Sequence, residues 1–320
     1  MKDSNSVFIG VHHIGLTVVD VDTSARFYAT AAGLVATAEA DSRAPVPKSL
    51  DGEHKFLRSL NARLRIMKST SARKATPRPV SDAGITHVCL QSTQMESLYR
   101  QFQTAGATFH APPVELGTGF LYCYARDVEA NVVELEGTAP VWDDPTPWIA
   151  HVSLTSADVD RLSAFYATLF DQPVIMSPRI GPNPKLDLVS GLTGTEFRAA
   201  WVPAGNMQIE VIRYLQPQTL ARSNSPPPND LGYSYLCFEV AEVAAAAACA
   251  RAAGATQSPD MAQLSGLTHH FCADPDGNIL LLMSLDSEHD DFSINALPDP
   301  YIASRLNALR TATKRKAVQS

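Results

Sequence analysis

Three separate stretches of the chain with β-strand character each contain a side chain that can bind a metal ion. The stretches and their side chains are Gly10–Val18 with His13, Gly84–Leu90 with His87, and Tyr124–Leu135 with Glu134. Two neutral imidazoles and one carboxylate on one face leave open positions on a metal, as in non-haem Fe(II) sites, and such a set also accepts Mn(II), Co(II), Ni(II) or Zn(II). We predict that the three side chains converge on one divalent metal, with Fe(II) as the first choice.

Each of these residues also has an ordinary interpretation as a strand residue. The adjacent His12 shows that histidine is not rare here, and either ring can simply be hydrogen-bonded within a sheet. Glu134 can face outward, with Glu136 on the same face. A carboxylate among the apolar neighbours of Glu134 is costly to bury unpaired, however, and a metal accounts for its presence.

The composition predicts a globular protein that is long enough for two domains. The chain has 320 residues, of which 45% are hydrophobic and 18% are charged. The net charge of −7 gives no general attraction to nucleic acid or anionic membranes. We find no apolar signal-peptide core, no run that could span a bilayer, and five scattered cysteines without a C-x-x-C pair, so we expect a cytoplasmic protein with reduced thiols.

The chain contains an internal repeat. Residues 13–30 match residues 151–168 without a gap, with ten identities in eighteen positions, and Ala105–Thr108 recurs as Ala253–Thr256. Each half contains a weaker repeat in which a strand and a helix are followed by short β-rich runs. We therefore predict a βαβββ unit that occurs four times.

Local signals predict where the first helices begin and end. In the first unit, Asp22 is the predicted N-cap and Gly33 the predicted stop. In the second, a helical stripe of apolar residues begins at Met95 and ends before Gly106. A further amphipathic helix is predicted over Tyr301–Lys314, which we expect to pack against a domain or a second subunit.

A proline-rich segment separates the two halves. Three prolines between Thr138 and Pro147 exclude regular structure and indicate a linker. The predicted organisation is residues 1–138 as an N-terminal domain with the metal site, 139–148 as the linker, 149–286 as a C-terminal domain with a degenerate site, and 287–320 as a tail.

Five motifs give the chain a resemblance to a known family. The motifs are His13–Leu16, Thr86–Val88, Asp127–Leu135, His151–Leu154 and Asp274–Leu280. With these motifs the chain resembles the vicinal oxygen chelate superfamily, which includes glyoxalase I, methylmalonyl-CoA epimerase, fosfomycin and bleomycin resistance proteins, and type I extradiol dioxygenases. The resemblance implies an α+β fold in which four tandem βαβββ modules form two half-open, glyoxalase-like barrels.

The resemblance also implies the ligand positions, which lie on the first and fourth strands of each unit. Carried over to this sequence, the positions are His13, Arg65, His87 and Glu134 in the N-terminal half, and His151, Glu210, Tyr235 and Leu281 in the C-terminal half. The first set supplies three ligands. We expect the second half to be structural, although His151 and Glu210 could make a two-ligand site.

Two further residues receive roles from the resemblance. Arg65 stands where glyoxalase I and the epimerase carry a fourth ligand or a proton-shuttling acid, and an arginine can be neither. This favours the extradiol dioxygenase pattern, in which Arg65 would bind a substrate carboxylate or phenolate, or else simply pair with an acidic neighbour. Tyr124 would be the acid that hydrogen-bonds the substrate.

The extradiol pattern is incomplete in this sequence. Val128 and Ala130 replace its proline and glycine, and residues 116–118 lack the expected acid–base histidine. His110 is the nearest substitute. The dioxygenases of the family also place their metal in the second half of the chain, whereas the prediction here places it in the first.

The functional expectation is a metal-dependent oxidoreductase of extradiol type, with O₂ as co-substrate and a small substrate that offers two adjacent oxygens. One alternative is a glyoxalase-type isomerase or lyase, and another is a resistance protein that sequesters a ligand without turnover. The partners expected are a small-molecule substrate and, as an option, a second copy of the chain in a homodimer. Neither nucleic acid nor a membrane is expected as a partner.

Overall fold

The computed structural model describes most of the chain. The described residues are 6–37, 45, 52–70, 77–138, 146–221, 230–257, 268–287, 289–302 and 304–305. Most of the predicted linker and of the predicted C-terminal helix lies outside them.

Among the described residues, sixteen strands form two sheets, one of seven strands and one of nine. The strands are β1 Phe8–Val18, β2 Val35–Ala36, β3 His54–Arg58, β4 Arg63–Lys68, β5 Gly84–Ser92, β6 Thr108–Phe109, β7 Val114–Glu115, β8 Leu121–Arg126, β9 Val132–Gly137, β10 Trp148–Thr155, β11 Ile175–Met176, β12 Glu196–Ala204, β13 Met207–Gln216, β14 Gly232–Val240, β15 His269–Ala273 and β16 Ile279–Met283.

Five α-helices accompany the sheets in the described part of the chain. They are α1 Val21–Ala32, α2 Met95–Thr104, α3 Val159–Phe170, α4 Pro184–Ser190 and α5 Val243–Ala252, and a short 3₁₀ helix spans Ile294–Ala296. The predicted mixed α+β class is therefore confirmed. No helix among the described residues is long and apolar enough to cross a membrane.

The predicted end of α1 and both predicted ends of α2 are confirmed, whereas the predicted N-cap of α1 is wrong by two residues. Gly33 ends α1 in the left-handed conformation (φ 64°), as predicted, because a residue without Cβ adopts it at little cost. The N-cap is Asp20 rather than Asp22, since the Asp20 side chain accepts a hydrogen bond from the Thr23 amide. Helix α2 begins at Met95 and ends before Gly106, as predicted.

Each sheet combines strands from both halves of the sequence. The seven-stranded sheet has the order β15-β16-β14-β1-β4-β3-β2, and the nine-stranded sheet has the order β11-β12-β13-β10-β5-β9-β8-β6, with β7 beside β8. Strand β1 pairs antiparallel with β14, and β5 pairs antiparallel with β10. The prediction of one barrel from each half of the chain therefore differs from the observed strand order.

Two buried asparagines join the halves where the central strands begin. Asn206, in the turn between β12 and β13, donates from Nδ2 to the Val11 carbonyl (2.9 Å) and accepts from the Val11 amide (2.8 Å). Asn61, between β3 and β4, makes the same two bonds to the Ile149 backbone (2.7 and 3.0 Å). Each half thus supplies hydrogen-bond partners to buried backbone groups of the other half. These bonds fix the pairing of the strands.

Helices and sheets share one main apolar core. A polar contact at its edge occurs twice, because Tyr28 in α1 donates to Asp127 (2.8 Å) and Tyr166 in α3 donates to Asp274 (2.7 Å). The two tyrosines occupy positions that the sequence repeat relates. This tyrosine–aspartate contact thus forms within each half of the chain, although each sheet combines strands from both halves.

Candidate metal centre

Four adjacent strands at the middle of the nine-stranded sheet carry four ligand-type side chains. They are His87 on β5, Glu134 on β9, His151 on β10 and Glu210 on β13. One donor atom from each lies within 4.8 Å of the others, and all four residues are buried. Because alternate residues of a strand face one side, four neighbouring strands bring these side chains to one wall without any contribution from loops.

The distances within this group are those of direct polar contacts. His151 Nε2 lies 2.9 Å from Glu134 Oε2 and 3.4 Å from Glu210 Oε2. His87 Nε2 lies 3.5 Å from Glu134 Oε2 and 3.7 Å from Glu210 Oε2. Both imidazoles therefore point their Nε2 atoms at the same pair of carboxylates.

The two closest members of the group form a buried ion pair. Burial opposes the charge of Glu134, but the hydrogen bond from His151 and the charges of His151 and His87 outweigh burial and lower its pKa to about 2. Burial also opposes the charge of His151, but the charge of Glu210 and the bond to Glu134 raise its pKa to about 9. The carboxylate is thus ready to bind a cation, and a metal would compete with the His151 proton.

Two polar atoms of the group have no hydrogen-bond partner among the described residues. They are His87 Nε2 and Glu210 Oε2, and both are buried. Leaving such atoms unpaired costs roughly 1–3 kcal/mol each. A divalent cation between them would satisfy both, and two imidazoles with two carboxylates form a donor set that suits Fe(II), Mn(II), Co(II), Ni(II) or Zn(II). The residues present therefore fit a metal.

A cavity of about 350 Å³ leads to three of the four ligand-type residues, Glu134, His151 and Glu210. Aromatic side chains of Trp201 and Tyr122 form part of its wall. Its volume lies at the lower end of small-molecule sites, which range from about 300 to 1,000 Å³. The cavity can therefore admit a small substrate to the group.

Tyr124, the predicted acid, lies beside this group on β8. Its backbone is opposite Glu134 in the strand register, and its ring centroid is 5.0 Å from that of His87. Burial and the charge of Glu134 hold the pKa of Tyr124 well above its ordinary value. The phenol is therefore a hydrogen-bond donor that keeps its proton.

The structure corrects the predicted grouping for His13 and Arg65. His13 is on β1 and Arg65 is on β4, and both strands belong to the seven-stranded sheet. There His13 Nε2 is 2.7 Å from the Tyr235 hydroxyl, and Arg65 donates to the same hydroxyl at 3.2 Å. His13 thus does not share a site with His87 and Glu134, because β1 pairs with β14 instead of β5.

The surroundings of His13 are unfavourable for a cation. Burial lowers the pKa of His13, and the nearby charges of His12, Arg65, Arg63 and His54 lower it further. His13 Nδ1 is also hydrogen-bonded to His12 Nδ1 at 2.8 Å. A group that includes His12, His13 and Cys237 exists here, but its imidazole nitrogens already have partners within the protein.

The C-terminal half contributes more to the site than the sequence suggested. His151 and Glu210 were expected to belong to a structural half, yet they complete the group with His87 and Glu134. The residue types at the eight family positions could have indicated this grouping. The second and third units together contain only ligand-type residues, whereas the first and fourth contain Arg65, Tyr235 and Leu281 beside His13.

His110, the nearest substitute for the missing acid–base histidine, lies elsewhere, and so do His269 and His270. His110 is half-buried, and its Nδ1 is 3.3 Å from the Val189 carbonyl. His269 and His270 lie on β15, at the edge of the seven-stranded sheet. None of the three belongs to the group around His87 in the described structure.

The four candidate ligands stand at positions that the sequence resemblance marked, and a family comparison agrees with that resemblance. Residues 10–135 match the model of the Glyoxalase/Bleomycin resistance protein/Dioxygenase superfamily. The resemblance predicted from the sequence is thus confirmed over residues 10–135.

Solved structures share the fold over most of the chain. Glyoxalase I from Zea mays is 16% identical, with a TM-score of 0.58 over 86% of this chain and 92% of that one. A protein from Bacillus subtilis subsp. subtilis str. 168 that is provisionally named a dioxygenase is 13% identical, with a TM-score of 0.54 over 92% and 91% of the two chains. At identities this low the likeness concerns the fold alone. No curated protein sequence matches the chain.

Proposed function

We propose that the protein is a metal-dependent enzyme that moves a proton between adjacent carbons of a small substrate with two neighbouring oxygens, which is an isomerase or lyase reaction of glyoxalase type. The observation that supports this proposal most is the fourth donor. The resemblance put Arg65 at this position, but the Glu210 carboxylate lies 3.7 Å from His87 Nε2, and this supports a reaction that needs a carboxylate there.

His87, Glu134 and His151 would hold the metal in this proposal, and Glu210 would complete the donor set whenever it is not acting as the base. When bound, the metal would supply Lewis acidity that polarises a carbonyl group of the substrate. The strand-borne side chains orient the site, and the cavity limits the substrate to a small molecule. The four repeat units would pair as second with third and first with fourth, which leaves one site per chain.

Glu210 is the proposed base. Its Oε2 has no hydrogen-bond partner, whereas Glu134 is held by His151 at 2.9 Å. Glu210 would take a proton from the hydroxyl-bearing carbon beside the carbonyl, which gives an enediolate, and would return a proton to the former carbonyl carbon. The hydroxyl proton would pass to the former carbonyl oxygen, so that the hydroxyl and the carbonyl exchange places. A carboxylate in a water-poor site is suited to this task.

The test uses protein loaded with Ni(II) or Co(II) and a panel of small α-hydroxycarbonyl compounds in D₂O. We expect NMR to show deuterium entering at the carbon beside the carbonyl. We expect Glu210→Gln to slow this exchange by roughly 100- to 10,000-fold. Glu96→Gln, a change of an exposed residue on α2, is the matched control. Equal exchange in wild type and Glu210→Gln would refute the role of Glu210.

Extradiol ring cleavage is the second candidate. The position of Tyr124 beside His87 favours it, because a phenol there can hydrogen-bond a substrate oxygen. Oxygen uptake by the Fe(II)-loaded protein with a catechol panel, lost in Tyr124→Phe, would support this reaction. A protein that carries no metal when purified without chelator, and that binds none, would instead agree with ligand sequestration.

A further inference from the structure

A second group of donor atoms lies next to the proposed metal centre. Cys89 on β5, Glu136 on β9 and His151 on β10 each offer a donor atom, and these atoms lie within 4.8 Å of one another. Cys89 and Glu136 each follow a member of the first group by two residues, so they lie on the same face of the same strands. Only His151 belongs to both groups.

The strand register places the thiol beside His151, the residue that the two groups share. Cys89 is directly opposite His151 on one side and Glu134 on the other. Its Sγ is 3.7 Å from Glu136 Oε2, and that oxygen also accepts a hydrogen bond from Gln91 Nε2 at 2.7 Å. The Gln91 bond orients the Glu136 carboxylate toward the thiol and the imidazole.

A small ion can approach these residues from the cavity. Gln91, Glu136 and His151 line the same 350 Å³ cavity that leads to the first group. Cys89 is fully buried behind them. An ion that enters the cavity thus meets two alternative donor sets, one with nitrogen and oxygen only and one that includes sulfur.

The two sets differ in the cations that they favour. Thiolate is a soft ligand that prefers Zn(II), Cd(II) and Cu(I), whereas imidazole and carboxylate donors also hold harder divalent ions. A thiol binds such a cation after it loses its proton, so binding at Cys89 would release one proton to the solvent.

We infer that Cys89, Glu136 and His151 form a second binding position for a thiophilic cation, and that this position competes with the proposed catalytic metal for His151. A cation held there removes one of the four donors from the first group. Soft metals would therefore displace the catalytic metal and inhibit the protein, although His151 is the only donor that the two positions share.

The test is a titration of the full-length protein with Cd²⁺, which gives a thiolate-to-cadmium charge-transfer band in the ultraviolet. In wild type, we expect the band to have the intensity that corresponds to one cadmium-bound thiolate per chain. We expect Cys89→Ser to abolish the band and to weaken Cd²⁺ binding by more than about 10-fold, since even outer-shell changes cost 10- to 100-fold. Cys237→Ser, which alters the cysteine beside His12 and His13, is the matched control and should keep the band.

A second arm tests the competition for His151. One equivalent of Cd²⁺ added to the Ni(II)-loaded protein should release Ni²⁺ from wild type and from Cys237→Ser, and should release at least several-fold less from Cys89→Ser. A band that persists in Cys89→Ser, or one that disappears in Cys237→Ser, would overturn the assignment. So would a Cd²⁺ band without any release of Ni²⁺, because the shared histidine is then excluded.

The outcome is separable from that of the proposed function. Cys89→Ser should bind Ni²⁺ with wild-type stoichiometry, since it retains all four residues of the first group. Failure of wild type to bind Ni²⁺ would refute the proposed catalytic metal and, with it, the competition. Failure of the Cd²⁺ band alone would refute only the second position.

Discussion

At the scale of single residues, the most informative comparison is between two histidines at equivalent positions of the repeat. His13 and His151 are aligned in the sequence and lie on equivalent strands, but their surroundings have opposite charge. Carboxylates of Glu134 and Glu210 face His151, whereas Arg65 and the Tyr235 hydroxyl face His13. The same residue type is thus a candidate ligand in one sheet and a hydrogen-bonded core residue in the other.

This difference predicts opposite effects on metal content. We expect His151→Ala to lower metal affinity by more than about 10-fold, because it removes a donor. We expect His13→Ala to retain stoichiometric metal and to lose about 1–3 kcal/mol of stability, since Tyr235 and His12 each lose a buried partner. Metal analysis by mass spectrometry and urea unfolding measure the two effects. Metal loss in His13→Ala with retention in His151→Ala would contradict the assignment.

At the scale of secondary structure, hairpin turns determine which strands meet. Asn61 and Asn206 lie between the third and fourth strand of their units, and each bonds the first strand of a unit in the other half of the chain. The two turns also contact each other, because Asn206 Nδ2 donates to the Asn61 carbonyl at 2.6 Å. A side-chain amide is needed here, since it both donates to and accepts from one backbone residue.

Replacement of that amide should be costly. Asn206→Asp keeps the shape but removes the donor to Val11 and Asn61 and adds a buried charge, so we expect a loss of about 3 kcal/mol or more in unfolding free energy. Asn183→Asp is the matched control, because Asn183 caps α4 and aspartate caps a helix equally well. Urea denaturation followed by circular dichroism measures both. Equal stability of the two variants would show that the turn does not hold the strands together.

At the scale of the whole molecule, the two halves depend on each other. The strands of residues 8–68 share a sheet with those of residues 232–283, and the proposed site takes two residues from each half. The domain boundaries predicted at 1–138 and 149–286 follow the repeat of the sequence, but they do not coincide with the division into sheets.

This arrangement predicts the behaviour of a cut chain. A protease site inserted between residues 139 and 145 should allow cleavage without separation of the halves, because β1 with β14 and β5 with β10 remain paired across the cut. We expect the fragments to co-elute in gel filtration with the metal content of the intact protein, and to separate only in denaturant. Cleavage at the same site with free elution of the two halves would contradict the shared sheets.

The sequence by itself determined the residue types, the repeat, the mixed α+β class and the resemblance to the superfamily. It also supplied every side chain of the proposed centre, since His87, Glu134, His151 and Glu210 all stand at positions that the resemblance marked. These features could be read because strand character, helix caps and repeats are local properties of the chain.

Only the tertiary structure decided which of these side chains meet. A strand carries no local information about its distant partner, and either half could supply the neighbour of β1 or β5. The choice was made by long-range contacts, such as the bonds of Asn206 to Val11 and of Asn61 to Ile149, and by the burial of both sheets in one core. As a result of this strand pairing, His13 and Arg65 lie in the other sheet. His151 and Glu210 lie beside His87 and Glu134.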